Sequence, residues 1–378
     1  MGCATAYFLL KADPQLQIAI VEKDATYARN STILSDGNIR FQFNLKENIQ
    51  ISQFGLEMLD RFAEEMAIGD EKPDVAFRRQ GDLFLADENG RAAAQQGLAL
   101  QQSLGCPVQW LSPAEIAQRY PALNLQGCAG GTFGTGEGTM DPHAVLYAYK
   151  NKAVSLGARF IQAEVTALTK DQTGINGVEL SSGDRLASNV VVNSAGAWVP
   201  QIAHMAGIEL PIEPVMRQVF VLETSVLPQN PWPLIVFPSG LYLIQEHGNH
   251  FLCGKSLADD PVTYEDFNWN RQRFDDLLWP DLVEYLPHFD RLKVTNGWAG
   301  LYAVNTLDGN AILGEWPELS GFYLMGGFSG HGFQQCHASG RYTAELILGR
   351  PPTLDLSIFS PRRILENKPV FENKSKLV

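Results

Sequence analysis

Hydrophobic and polar positions along this chain follow two periods, and the change of period divides it. Met1 to Leu10 reads as a helix with small residues on one side, Asp13-Pro14 stops it, and Ile18 to Glu22 reads as a buried strand ending in a carboxylate. Ile51, Phe54, Met58, Phe62 and Met66 then share one helical face, with Asn48 as the expected cap and Gly69 as the close. Arg91 to Ser103 is a further expected helix, and Ser112-Pro113 opens another with Ser112 as its cap. Asp141-Pro142 starts a helix to Leu156 in the same way, so capping is a sufficient role for Asp141. Between Ser112 and Asp141, the glycine-rich stretch Gly130 to Gly138 reads as a returning loop. The apolar run Val190-Val191-Val192 is a strand leading through Asn193-Ser194-Ala195-Gly196-Ala197-Trp198 into a helix. From Pro211 to Val294 the period shortens to two, as in Gln218 to Leu222 and Leu241 to Ile244, which predicts an antiparallel sheet with a helical stretch from Trp269 to Leu278. Phe322 to Met325 is a last strand before a glycine turn and a helix ending near Gly349.

This order predicts a chain of α/β and α+β class with two domains. A Rossmann-like domain lacking its first strand is assembled from 1–47, 136–206 and 295–360. A second domain on a mixed or antiparallel sheet takes 48–135 and 207–294, and 361–378, with Glu366, Lys368, Glu372, Lys374 and Lys376, reads as a solvated tail. At 378 residues the chain is long enough for two cores, and a net charge of −13 argues against nucleic acid as a partner. Cys3, Cys106, Cys128, Cys253 and Cys336 are scattered without a C-x-x-C. That suits reduced thiols in a cytoplasmic or mitochondrial-matrix setting, and neither they nor the histidines show metal-ligand spacing.

Candidate chemistry sits where strands run into helices. Gly2 opens a helix and Glu22 ends the next strand twenty residues on, the second half of a dinucleotide-binding unit. There the last glycine of G-x-G-x-x-G lets helix and strand pack closely, and an acid holds a ribose hydroxyl. An ordinary helix-strand pair has the same look. On the dinucleotide reading, an apolar strand and two glycines are expected ahead of Met1. The loop from Ser31 to Arg40 is rich in hydroxyls, which suits phosphate or ring recognition as well as plain turns. Gly326, Gly327, Gly330 and Gly332 leave backbone N–H groups unscreened at a helix start, a place for partial negative charge.

In this order and spacing, Gly2 with Glu22, the Ser31–Arg40 loop, Gly138 to Pro142, Val192 to Trp198 and Gly327 to Gly332 resemble the D-amino-acid oxidase-type family of FAD oxidoreductases, which includes sarcosine and dimethylglycine dehydrogenases and glycine oxidase. Leu34-Ser35, Lys46 to Gln50, Trp298 to Gly300 and Phe328 to Gln335 resemble the branch linked to respiratory complex I assembly. The resemblance implies FAD contacts at Gly2, Glu22, Lys23, Ser31, Thr32, Arg40, Val165, Ala195, Gly196, Trp198, Gly300, Gly327, Phe328, Ser329, Gly330, His331, Gly332, Phe333 and Gln334. Leu34 and Leu301 stand where relatives attach the flavin, which implies noncovalent FAD. Tyr302 and Gln334 stand where relatives hold a substrate carboxylate with Arg or Lys, and Leu252 where an oxygen-promoting lysine is found. These departures imply a dehydrogenase or slow oxidase and a substrate unlike glycine. The implied catalytic set is Tyr242, Lys255 as a replacement cation, Tyr302, and His331, which shapes the flavin site. The implied reaction is oxidation of the C–N bond of a secondary or tertiary amine or amino acid by hydride transfer to flavin N5. Its electrons pass to a quinone, an electron-transfer protein or oxygen. The resemblance also admits an FAD-holding assembly factor without turnover, associated peripherally with respiratory complexes.

Overall fold

In the computed structural model, which describes residues 1–372, the first helix runs Gly2–Ala12 and Asp13 leaves it in an extended conformation. The strand Ala19–Glu22 follows and pairs in parallel with Arg159–Gln162. Val191–Asn193 pairs in parallel with Phe322–Gly326, which pairs on its other side with Ile312–Glu315. Among the described residues, Ala19–Glu22 and Val191–Asn193 each have a strand on one side only, and both line one central cavity. The burial expected of Ala19–Glu22 is therefore incomplete: Ala19 is exposed and the other three are half-buried.

Three helices cover this part of the sheet. Gly2–Ala12 packs on Pro142–Ser155 and on Gly332–Ile347. A Cβ on Gly340 would lie 2.9 Å from Ala4 Cβ and 3.1 Å from the backbone of Ala4 and Thr5, so the crossing depends on small residues. The helix Lys46–Leu59 packs on Gly332–Ile347 and belongs to the same core, although its residues from Asn48 onward were expected in the other domain. Asn48 does not cap it. The helix begins at Lys46, and Asn48 is buried one turn in, donating to Asn310 Oδ1 at 2.8 Å and accepting from Gln335 Nε2 at 3.1 Å. The stretch to Gly69 is broken after Leu59, with a short separate helix at Phe62–Glu65.

The second layer is a sheet of eight strands in the order Lys293–Asn305, Ile212–Glu223, His250–Lys255, Leu241–His247, Leu234–Val236, Asp82–Asp87, Cys128–Gly134, Val108–Leu111. Its neighbours are antiparallel except for Leu234–Val236 beside Asp82–Asp87. The boundary expected at 294/295 falls inside Lys293–Asn305, which runs beside the whole of Ile212–Glu223. Cys128–Gly134 is a strand where a loop was expected. Its glycines are required by neighbours: a Cβ on Gly130 would meet the Trp110 ring at 2.5 Å, and one on Gly131 the Phe84 carbonyl at 2.8 Å. The helical stretch expected from Trp269 begins at Arg271 and continues to Tyr285 through a π turn at Phe274–Leu278.

Caps act as the side chains suggest. Ser112 and Glu115 form a reciprocal capping box, and Asp141 Oδ1 accepts the N–H groups of His143 and Ala144 at 2.8 and 3.2 Å. The expected solvated tail is only partly so. Glu366 and Lys368 pair at the surface, but Arg363 is buried against Asp308 at 2.9 Å and Glu372 accepts the N–H of Asn44 at 2.6 Å. Lys374 and Lys376 lie outside the described residues.

Candidate active site

A cavity of about 1290 Å³ runs between the two layers. At one end, Glu22 brings a half-buried carboxylate whose Oε1 accepts the Asp24 N–H at 3.0 Å; burial raises its pKa. Lys23 holds its ammonium 4.8 Å from the Trp198 ring and 3.7 Å from Glu164. Gly2 faces the strand-to-helix segment Asn193–Trp198, where a Cβ would lie 2.7 Å from Ser194 Oγ; Ala195 and Gly196 complete that wall, and Val165 joins it from its strand. The first turns of Gly2–Ala12 and Gly332–Ile347 both open into the cavity, and neither has a side-chain cap. Two helix starts without a side-chain cap among the described residues, with an acid at the end of a parallel strand, fit an anionic dinucleotide.

The loop expected from Ser31 to Arg40 crosses the middle. The Ser31 hydroxyl donates to the Leu301 carbonyl at 2.7 Å, and the Thr32 N–H is held by Asn30 Oδ1 at 2.8 Å. Trp298 Nε1 donates to the Leu34 carbonyl at 3.0 Å, and a Cβ on Gly300 would lie 3.1 Å from Leu34 Cβ. Below it, Asn38 Nδ2 donates to both oxygens of buried Asp82 at 3.0 and 2.8 Å. Buried Glu137 accepts from the Phe41 N–H and from Gln42 Nε2, each at 2.6 Å. Burial pushes Asp82 well above the usual carboxylate range and Glu137 up to about 7. Arg40 is buried beside these acids, its guanidinium 5.2 Å from the Phe43 ring and 5.6 Å from the Phe84 ring, and its backbone N–H donates to Gln334 Oε1 at 3.0 Å.

At the far end, the large sheet supplies the walls. Gly330, at φ +95°, comes so near Tyr302 that a Cβ would sit 2.2 Å from its ring. The Tyr302 ring lies 5.6 Å from the Arg217 guanidinium, and its pKa is pushed up to about 12 by burial, with Asp36 adding to the rise and Arg217 and Arg40 opposing it. Tyr242 donates its hydroxyl to Asp36 Oδ2 at 2.6 Å, and its ring crosses Gly254 on the next strand, where a Cβ would be 2.4 Å from the hydroxyl. Burial pushes the Asp36 carboxyl up to about 6. Val219, Leu234, Val236 and Ile244 form an apolar floor.

The pattern shared by FAD dependent oxidoreductases matches residues 1–346. The chain belongs to that family. It is 35% identical over 403 residues to FAD-dependent oxidoreductase domain-containing protein 1 of Bos taurus, covering 95% of this chain and 82% of that protein. It is 27% identical to sarcosine oxidase subunit beta of Arthrobacter sp, covering 92% and 84%. The crystal structure of L-proline dehydrogenase from P. horikoshii superposes with a TM-score of 0.87 at 26% identity, covering 97% of this chain and 96% of that one.

In this oxidoreductase most expected site residues converge on the cavity, with two exceptions. Lys255 is turned into an ion pair with Asp281 at 2.7 Å and does not line the cavity, which corrects its reading as the substrate cation. Gly327, at φ +68°, turns the chain against Ile212 and Asn305, while Phe328, Ser329, Gly330, His331, Gly332, Phe333 and Gln334 line the cavity. The His331 ring stands edge-on to Phe43 at 5.1 Å. Arg217 and Asp36 were not foreseen as site residues. Arg217 pairs with Asp260 and donates to the Leu257 carbonyl at 3.3 Å, and its Nε has no partner among the described residues. A single cation inside the largely apolar strand Ile212–Glu223 was the available signal; for Asp36 it was a lone acid in a hydroxyl-rich loop.

Proposed function

We propose that this flavoprotein oxidises the C–N bond of a secondary or tertiary amino acid, with FAD held noncovalently. The observation that carries the reading is the far end of the cavity, where Arg217, Asp36, two tyrosines and an apolar floor gather beside the glycine turn. The relatives named for sarcosine and L-proline act on secondary amines, and that supports the same class here.

When bound, FAD supplies the two-electron acceptor that takes hydride from the carbon next to nitrogen. Glu22 would hold a ribose hydroxyl, and the first turns of Gly2–Ala12 and Gly332–Ile347 would hold anionic parts of the cofactor. Leu34 and Leu301 both line the cavity and offer no nucleophile for a covalent link. On the substrate side, Arg217 pairs with the carboxylate of the amino acid, because a guanidinium already desolvated against Tyr302 gains from a second anion. Tyr302 and Tyr242 orient the carbon chain, and Val219, Leu234, Val236 and Ile244 keep water away. Leu252 packs in the cluster behind that floor, adding no charge to favour oxygen, so the preferred acceptor is a quinone or an electron-transfer protein. Anaerobic addition of secondary and tertiary amino acids to the purified holoprotein tests the reading. Bleaching of the flavin absorption by at least one is expected, and a spectrum unmoved by every one would overturn it.

A further inference from the structure

Asp36 is unusual among the groups around the cavity. Its Oδ2 accepts from the Tyr242 hydroxyl at 2.6 Å, whereas its Oδ1 is shielded from solvent and has no hydrogen-bond partner among the described residues. A carboxylate half satisfied in this way normally costs the fold free energy, because the bare oxygen has lost its water without a replacement. The uncompensated negative charge is offset where a ligand brings a positive charge into the cavity beside the carboxylate, which needs no hydrogen bond to the bare oxygen. Its surroundings say which ligand. Asp36 lines the same cavity as Tyr242 and Tyr302, whose aromatic faces favour a cation, and as the floor of Val219, Leu234, Val236 and Ile244, which rejects a hydrated ion but accepts an alkylated one. Arg217, on the other side of Tyr302, is paired with Asp260, and Asp36 has no ion-pair partner among the described residues.

We propose that Asp36 is the recognition site for the positive charge of the substrate, receiving the alkylated ammonium of a zwitterionic amino acid beside Tyr242 and Tyr302 while Arg217 takes the carboxylate. This rests on the proposed amine-oxidising function and narrows it to substrates that enter as cations at nitrogen. The charged and titratable groups that face Asp36 are Tyr242 from Leu241–His247, Tyr302 from Lys293–Asn305, the buried Cys253 thiol from His250–Lys255, and Glu246 at a greater distance. Burial lifts the carboxyl to about 6, Glu246 adds to the rise and the Tyr242 hydroxyl opposes it. The group is thus an anion above about 6 and neutral below, so recognition of a cation is present at higher pH and is lost as pH falls through that value.

The test uses two unreactive probes of the same shape on the flavin-loaded protein: trimethylglycine, which carries a permanent positive charge, and 3,3-dimethylbutanoate, which replaces the nitrogen by carbon. Perturbation of the flavin spectrum reports binding of each without turnover. The wild-type protein is expected to bind trimethylglycine at least about tenfold more tightly at pH 8, the scale of one desolvated cation held by ring faces beside a carboxylate, and to lose that preference as pH falls through about 6. Asp36→Asn is expected to keep its flavin and to bind the two probes alike. Tyr242→Phe, which removes the donor that favours the ionised form, is expected to move the pH at which the preference disappears upward, and it serves if the asparagine variant loses flavin. Equal affinity of both probes for the wild-type protein would overturn the role of Asp36 alone. So would a preference that survives in Asp36→Asn. A flavin spectrum unmoved by either probe would overturn the amino-acid site as well.

Discussion

Arg217 and Lys255 stand on neighbouring strands of the large sheet and have opposite surroundings. Arg217 reaches the cavity beside Tyr302, whereas Lys255 is committed to Asp281. Arg217→Met is therefore expected to raise KM for an amino-acid substrate by about tenfold or more, given ~1.5–3 kcal/mol for a hydrogen bond to a charged group, while flavin content stays unchanged. Steady-state kinetics with an amine that lacks a carboxylate provide the control, since its KM is expected not to move. Lys255→Met is expected to leave both KM values alone and to lower unfolding free energy by about 1–2 kcal/mol, through an Asp281 left half-desolvated. A second residue-scale expectation concerns Gly330. Alanine there meets both a positive φ and the Tyr302 ring, so Gly330→Ala is expected to displace Tyr302 and reduce turnover, seen as a lower kcat with the flavin retained. At this scale the sequence shows a residue's chemistry but hides its partner. Tyr242 and Tyr302 were expected in the catalytic set from the resemblance and both line the cavity, yet nothing near Lys255 announces an aspartate 26 positions on.

The elements that form the cofactor side are positioned by helix contacts without room for a side chain. Gly340 against Ala4 sets how closely Gly332–Ile347 approaches Gly2–Ala12, and the first turns of both helices open on the cavity. Gly340→Leu is expected to cost about 1–3 kcal/mol, as overpacking does, and to lower the fraction of protein purified with flavin; thermal unfolding and the ratio of visible to ultraviolet absorbance check the two parts. Helices with a local signal were legible from the sequence: Ser112 and Asp141 cap the helices they were expected to cap. Asn48 misled, because asparagine in a buried polar network and asparagine at a cap look alike until the network is seen. Cys128–Gly134 misled for a different reason. Its glycines lower strand propensity locally, and only Trp110 and Phe84, from other strands, explain them.

Across the whole molecule, the stretch from Asn38 to Gln42 is held by the buried acids Asp82 and Glu137, and this gives folding a pH dependence. Glu137 titrates at about 7 in the folded chain against 4.5 ordinarily, so the folded state binds more protons between these values. Its contribution is fully present below 4.5 and is lost as pH rises through about 7, and Asp82 acts in the same direction. Urea midpoints measured across this window are expected to fall less steeply with rising pH in Glu137→Gln than in the wild type. The layered architecture was legible because its periods are long and distinct. The division of residues between layers was less so: Lys46–Leu59 packs with the cofactor-side helices and Lys293–Asn305 with the sheet, through contacts distant in sequence. The central claim is that the cavity between the layers holds FAD without a covalent bond, and the visible spectrum of the purified protein before and after acid precipitation tests it most directly. Flavin absorption released into the acid supernatant is the predicted result; a coloured pellet, or a protein that takes up no flavin when FAD is supplied, would contradict it.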